Sequence, residues 1–149
     1  MTSNPRFYQI SPELLQEVRQ CTNEQRENLV ARACSLALER TDLVDRRLST
    51  AIRAKGEYSV LGNDSVAEIS SLVRQLDEKA WTLQDQVERG EAEEREYLSA
   101  FAKARACAAV EFSLGRTEES DLESLYEAYH AIGDRGVFVQ LVTAARTDK

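Results

Sequence analysis

Two series of apolar residues follow one another along the chain at alternating spacings of three and four. The first contains one threonine: Val30, Cys34, Ala37, Thr41, Val44, Leu48 and Ala51. The second has no polar member: Val66, Ile69, Val73, Leu76, Ala80, Leu83 and Val87. Because this repeat keeps one stripe of a helix against a neighbouring helix, each series predicts a long helix. Residues 56–63 contain Gly56 and Gly62 and leave room for a turn. The pattern therefore predicts a long antiparallel helical hairpin in which the two series face each other.

Capping residues indicate where the first helices begin. Ser11 followed by Pro12 is typical of an N-cap with proline at the first helical position. Thr22 with Gln25 three residues later predicts a capping box that opens a second helix. The apolar spacing continues through Ala51, so we interpret residues 23–55 as one helix, with a kink or a break allowed at residues 40–42.

Similar signals divide the rest of the chain. Ser65 with Glu68 predicts the start of the second long helix, and Gly90 its end or a kink. A further helix over residues 91–114 has one apolar face, made of Leu98, Phe101, Ala108 and Phe112. Ser120 with Glu123 predicts the start of a sixth helix. The last element, residues 137–146, begins with the run Val-Phe-Val-Gln-Leu-Val, which could form a strand. An isolated strand would lack a partner, so a helix is favoured.

We therefore expect one all-α domain over residues 1–149, a helical bundle of about six helices around the long hairpin. Residues 1–10 form its extended N-terminal arm. No apolar run approaches the roughly 20 residues that cross a bilayer, so no membrane contact is expected. Because the start of the chain has no apolar secretory region, the expected location is the cytoplasm. Three widely spaced cysteines and a single histidine predict neither a metal site nor a cofactor, and the cysteines are interpreted as buried thiols.

The net charge of the chain indicates which classes of partner it can bind. Nineteen Lys and Arg residues stand against 26 Asp and Glu residues, a net charge of −7, which disfavours nucleic-acid binding. One basic cluster interrupts this acidic background: Arg40, Arg46, Arg47, Arg53 and Lys55. Cations near the C-terminal end of a predicted helix are stabilised by its dipole, so a structural role explains the cluster, and a local basic patch is the alternative.

A polar stripe on the predicted sixth helix is the first candidate site. Glu123, Glu127, His130 and Asp134 recur on one side of that helix. Glu127 and His130 form a Glu-x-x-His pair, the unit that di-iron bundles use twice. Since His130 is the only histidine, a di-iron site is disfavoured. A mononuclear metal or acid–base role for the pair competes with a simple solvated face.

Arg105 is the second candidate, because helical spacing places it on the apolar side of its helix. A partly buried guanidinium normally requires a carboxylate, and Asp77, Glu111 and Glu127 are the conceivable partners. Three interpretations stay open: a structural ion pair that fixes helix register, an anion-binding site, and a side chain that extends to solvent.

Acidic residues are segregated along the chain. Between Thr117 and Asp134 there are six, with no Lys or Arg: Glu118, Glu119, Asp121, Glu123, Glu127 and Asp134. A second acid-rich stretch surrounds Gly90 and is relieved only by Arg89 and Arg95: Glu88, Glu91, Glu93, Glu94 and Glu96. Acids at helix N-termini fit the helix dipole, and a surface for a basic partner is the functional alternative.

The chain carries no phosphate-binding loop, nucleophile elbow or zinc-protease motif. We therefore expect a non-enzymatic protein that binds a basic protein partner through an acidic face, as a regulator or as an antitoxin-like or immunity-like factor. The residues expected to carry that binding are Glu119, Glu123, Glu127, His130 and Arg105. The alternative is a ligand-binding or enzymatic bundle that uses Arg105, Glu127 and His130 in a cleft between helices. A scaffold that dimerises with a second copy is a third hypothesis.

Overall fold

The computed structural model describes residues 4–54 and 62–147, and this part of the chain is helical with no strand. A short 3₁₀ helix, Arg6–Gln9, precedes seven α-helices within the described residues. These are α1 (Pro12–Arg19), α2 (Asn23–Arg40), α3 (Arg46–Ala54), α4 (Asn63–Glu88), α5 (Glu94–Ser113), α6 (Glu118–Ile132) and α7 (Arg135–Thr147). The prediction of an all-α helical bundle is confirmed, and residues 137–146 belong to a helix as expected.

Two of the predicted caps are present. Ser11 Oγ accepts a hydrogen bond from the Leu14 amide at 3.1 Å, and Pro12 occupies the first turn of α1. Thr22 and Gln25 form the reciprocal capping box of α2.

Two other predicted helix starts are wrong. The capping box of α6 pairs Thr117 with Ser120, one turn before the predicted pair of Ser120 and Glu123. Ser120 Oγ accepts from the Thr117 amide, as a Glu or Gln side chain usually does at this position, and Glu123 accepts from Arg6 instead. At α4, Gly62 is the N-cap and provides no side-chain hydrogen bond, so Ser65 does not open this helix.

The predicted single helix over residues 23–55 is broken into α2 and α3. Thr41 ends α2, and its hydroxyl donates to the Ala37 carbonyl at 2.8 Å. Asp42 has φ +55°, a left-handed conformation that aspartate tolerates better than most residues and that a helix cannot continue. Val44, a member of the first apolar series, is 96% exposed as a consequence.

The helical hairpin therefore pairs different helices from those predicted. α4 packs along α5 and makes only a small contact with α3, whereas α2 packs against α5, α6 and α7. Gly90, at φ +76°, ends the α4 segment and lets a short turn return the chain as α5. Hydrogen bonds from Ser70 to Glu111 and from Arg105 to Asp77, both 2.5 Å, fix the antiparallel register of α4 and α5.

The hydrophobic core lies around α2, and the N-terminal segment contributes to it. Phe7, in the 3₁₀ helix, is fully buried and lies 6.1 Å from Phe138 of α7, measured between ring centroids. Residues 6–9 were predicted to belong to an extended arm. The structure differs because Phe7 supplies a large apolar side chain that is stabilised by burial.

One end of the α4–α5 hairpin extends beyond this core. No residue from 81 to 99 is buried, and Trp81 and Leu98 are 63% and 52% exposed. We call residues 81–99 the hairpin end. Within the described residues, no helix combines the length and the apolar character needed to cross a membrane.

The core assignment predicts the effect of truncating Leu48, which is fully buried in α3. We expect Leu48→Ala to lower the free energy of unfolding by about 2–5 kcal/mol, because it removes buried methyl groups and leaves a cavity. Leu76→Ala should cost less, since Leu76 is half-buried. Urea unfolding followed by circular dichroism measures these changes.

Leu98→Ala is the matched control for this prediction, because Leu98 is an exposed leucine on a helix. Its effect should stay within about 0.5 kcal/mol. Equal losses for Leu48→Ala and Leu98→Ala would contradict the placement of α3 against the core.

Candidate functional site

Arg105 joins three helices through two carboxylates. From α5, its Nη1 donates to Glu127 Oε2 of α6 at 2.7 Å, and its Nη2 donates to Asp77 Oδ1 of α4 at 2.5 Å. Glu111, the third conceivable partner, accepts from Ser70 instead. Of the three interpretations of Arg105, the geometry matches a structural ion pair that fixes helix register.

The second oxygen of Glu127 binds a residue from the start of the chain. Arg6 Nη2 donates to Glu127 Oε1 at 2.9 Å, and Arg6 Nε donates to Glu123 at 2.7 Å. The Arg6 guanidinium also lies 4.4 Å from the ring centroid of Tyr126. We call Arg6, Asp77, Arg105, Glu123 and Glu127 the ion-pair cluster.

Glu127 is the centre of this cluster and its side chain is only 2% exposed. A carboxylate removed from water keeps its charge only when cations and hydrogen-bond donors replace the lost hydration. Arg6 and Arg105 supply both, one to each oxygen of Glu127. The cluster therefore binds its own groups to one another and holds the 3₁₀ helix, α4, α5 and α6 together.

His130 lies outside the ion-pair cluster. Its ring contacts Tyr126 and Tyr129 edge-on, with centroid distances of 4.7 and 5.3 Å, and no hydrogen bond or ion pair joins it to Glu127. Partial burial lowers the pKa of His130, and the neighbouring charge of Glu127 only partly opposes this shift. Glu127 and His130 are thus close in sequence but are not bonded to each other, and no group of three potential metal ligands occurs among the described residues.

Most of the acidic stretch of α6 is neutralised by arginines from distant parts of the chain. Asp121 is buried and accepts from Arg26 at 2.9 Å, and Glu118 lies 3.7 Å from Arg19. Glu123 and Glu127 belong to the ion-pair cluster. Of the three glutamates expected on the acidic face, only Glu119 is exposed in the way that the pattern suggested.

Sequence reasoning missed a different surface, on the α4–α5 hairpin. Trp81, Leu98 and Phe101 are 63%, 52% and 37% exposed, although helical spacing placed Leu98 and Phe101 on an apolar face that was expected to be covered. The exposure follows from the length of the hairpin, which extends past the core. The excess of acidic residues on both sides of Gly90 could have indicated this exposure, because so many charges are not found in a buried hairpin end.

Two rows of residues at helical spacing form this surface. Asp77, Trp81 and Glu88 recur along α4, and Glu94, Leu98, Phe101 and Arg105 recur along α5. Because Asp77 and Arg105 are bonded, the two rows lie on the same side of the hairpin, with Trp81 and Phe101 one turn further toward its end. We call Trp81, Glu88, Glu94, Leu98 and Phe101 the hairpin surface.

The hairpin surface is strongly acidic at its outer edge. Residues 85–96 contain six acidic residues and two arginines, a net charge of −4. Arg95 is paired with Glu93, and Arg89 donates to the Asp85 carbonyl at 3.4 Å. The exposed acids of this region are therefore only partly neutralised, in contrast to those of α6.

Two further features lie elsewhere. The three cysteines are buried, and burial raises the pKa of Cys107 to about 12, so this thiol stays protonated. A cavity of about 460 Å³ lies between the end of α2, the 41–45 link and α3, and includes none of the candidate residues.

Comparisons with protein-family models, with curated proteins and with solved structures give no match to this chain.

The ion-pair cluster predicts a large cost for removing the charge of Glu127. We expect Glu127→Gln to lower the free energy of unfolding by about 3 kcal/mol, because Arg105 would lose a partner inside the protein. Glu119→Gln, at an exposed position of the same helix, should change it by less than about 0.5 kcal/mol. Chemical unfolding of both variants measures the difference, and equal stabilities would contradict the structural role of Glu127.

The lowered pKa of His130 predicts a pH dependence with a defined sign. Below about pH 6.5 the unfolded chain binds a proton at His130 more readily than the folded protein does, so stability falls as the pH falls. Unfolding at several values between about pH 8 and pH 5 should show a smaller loss for His130→Asn than for the wild type. A larger loss in the variant would show that the folded state favours the charged imidazole.

Proposed function

We propose that this protein is non-catalytic and binds a basic protein partner through the hairpin surface. The observation that carries the proposal is the exposure of Trp81, Leu98 and Phe101 beside acidic residues that are only partly neutralised, on a helical hairpin that extends beyond the core. The sequence led us to expect the acidic binding face on α6, and we now propose it at the end of the α4–α5 hairpin.

The apolar part of this surface supports a binding role. Scattered single apolar residues are common on protein surfaces, but neighbouring ones rimmed by polar residues are typical of interaction sites. Trp81 is the only tryptophan of the chain and is exposed to solvent over most of its area. Tryptophan is among the residues that contribute most binding energy at interfaces, because a large apolar area is buried with few rotatable bonds.

The charge of the hairpin end indicates the class of partner. Six acidic residues against two arginines over residues 85–96 create a negative potential that attracts a basic surface and accelerates its association. In α6, by contrast, most acidic side chains already form ion pairs with arginines of this same chain. Buried free cysteines are compatible with the reducing cytoplasm that we expect as the location.

The ligand-binding or enzymatic alternative draws less support from the geometry. It requires Arg105, Glu127 and His130 to converge on an open cleft. Arg105 and Glu127 instead bind each other, and His130 packs on two tyrosines at the outside of α6.

Affinity capture with paired baits tests the proposal. The tagged wild type and the variant Trp81→Ala with Glu88→Gln and Glu94→Gln are used side by side in extracts of cells that express the protein. We expect mass spectrometry to find a basic protein that the wild type retains at low salt and that both the variant and high salt release.

The matched control carries Glu24→Gln and Glu119→Gln, two exposed acids away from the hairpin. It removes the same number of charges and should retain the partner. A partner lost equally with this control, or retained by the hairpin variant, would contradict the assignment of binding to the hairpin surface.

A further inference from the structure

We infer that the hairpin surface binds a single amphipathic α-helix with basic residues along its edges. This helix packs lengthwise on α4 and α5 as a third helix. This inference rests on the proposed function and specifies the partner more closely. Its basis is that α6 packs on α5 only as far as Phe101, and that exposed apolar and acidic residues of both α4 and α5 remain beside and beyond it.

The contacts of α6 show how far along the hairpin this helix extends. Arg105 bonds to Glu127, and the Ser124 hydroxyl donates to the Ala109 carbonyl at 2.7 Å, so α6 runs antiparallel to α5 along this side. The same register brings the last turn of α6 to the level of Phe101. There the helix ends at Ile132, and Gly133, at φ +68°, turns the chain away.

Beyond that point the two-helix hairpin continues without a third helix. Leu98 lies beyond the last turn of α6, whereas Trp81 is level with that turn but stays exposed, because α6 packs on α5. They are the two most exposed large apolar residues of the hairpin. Glu94 and Glu88 follow one to two turns further out. A helix that lies along both α4 and α5 would cover the apolar pair and end among the acids.

The spacing of the hairpin surface matches a helical partner. Its residues are separated by four and three residues along α5 and by seven along α4, and they extend over about 10 Å from Trp81 to Glu88 at 1.5 Å per residue. A helix laid on two others presents apolar side chains at the same steps and fits its ridges into their grooves. Lysines or arginines flanking that apolar stripe would meet Glu88 and Glu94.

The charges also favour a foreign helix over a second copy of this chain. A symmetric dimer through the hairpin surfaces would bring together two regions that each carry a net charge of −4 over residues 85–96. Like charges at close range oppose such an association. A basic partner helix removes the same apolar area from water and neutralises the acids.

Trp81 allows a direct test, because it is the only tryptophan and lies on the hairpin surface. The probe is a synthetic amphipathic peptide of leucine and lysine, about 18 residues or roughly 27 Å as a helix. Peptides of the same composition with two central prolines, and of the same pattern with glutamate for lysine, serve as comparisons. Emission of Trp81, its quenching by acrylamide and circular dichroism are recorded during titration.

We expect the leucine–lysine helix to shift Trp81 emission to the blue, to protect it from quenching and to saturate at one peptide per chain. Leu98→Glu should weaken this binding by about tenfold or more, because a charge would enter the apolar contact. The pair Glu88→Gln and Glu94→Gln should weaken it at low salt only. The pair Glu24→Gln and Glu119→Gln should leave it unchanged. All these positions are exposed or lie on the hairpin surface, so the substitutions should not affect folding. An unfolding midpoint close to that of the wild type verifies this for each variant.

Three outcomes would overturn the inference, and they differ in what they leave standing. Equal binding of the proline-containing peptide would reject a helix while leaving the basic partner of the proposed function intact. Equal binding of the leucine–glutamate peptide would reject charge selection and with it the proposed function. A blue shift that rises with protein concentration alone, together with a dimer in sedimentation, would assign the surface to a second copy.

Discussion

The buried carboxylate of Glu127 is the interaction on which the arrangement of this bundle depends. One of its oxygens binds Arg105 of α5 and the other binds Arg6 of the 3₁₀ helix, and Arg105 extends the contact to Asp77 of α4. Such a centre adds little net stability compared with an apolar core, because both charges lose their hydration. It is nevertheless specific, since any shift in register between α5 and α6 would leave a buried charge without its partner.

The same cluster determines which acidic residues remain available to other molecules. Arginines from the first 26 residues pair with Glu118, Asp121, Glu123 and Glu127, so most acids of this stretch already have partners within the chain. At the hairpin end, six acids face two arginines within residues 85–96. The proposed binding site follows from this redistribution together with the exposure of Trp81 and Leu98.

The length of the hairpin and the packing of α6 on α5 together determine which residues form that site. α4 and α5 continue past the last turn of α6, where Gly133 adopts a left-handed conformation and sends the chain into α7. A pair of helices without a third neighbour necessarily exposes part of its apolar surface. In this protein that part carries the only tryptophan, and a basic amphipathic helix would complete the local packing.

By itself, the sequence determined the all-α class, most helix positions and two N-caps, because spacing of apolar residues and capping are local properties. It also identified Arg105 and Glu127 as residues whose surroundings needed explanation. Only the tertiary structure decided that α4 pairs with α5, that residues 23–55 break at Asp42, and that Glu127 lies between Arg6 and Arg105. A three–four repeat indicates that a helix packs against another helix but does not identify which one. An ion pair between residues more than 100 positions apart leaves no local pattern in the sequence. The sequence did not decide the exposure of Trp81 for the same reason, since the apolar spacing of α4 and α5 does not show which of their residues another helix covers.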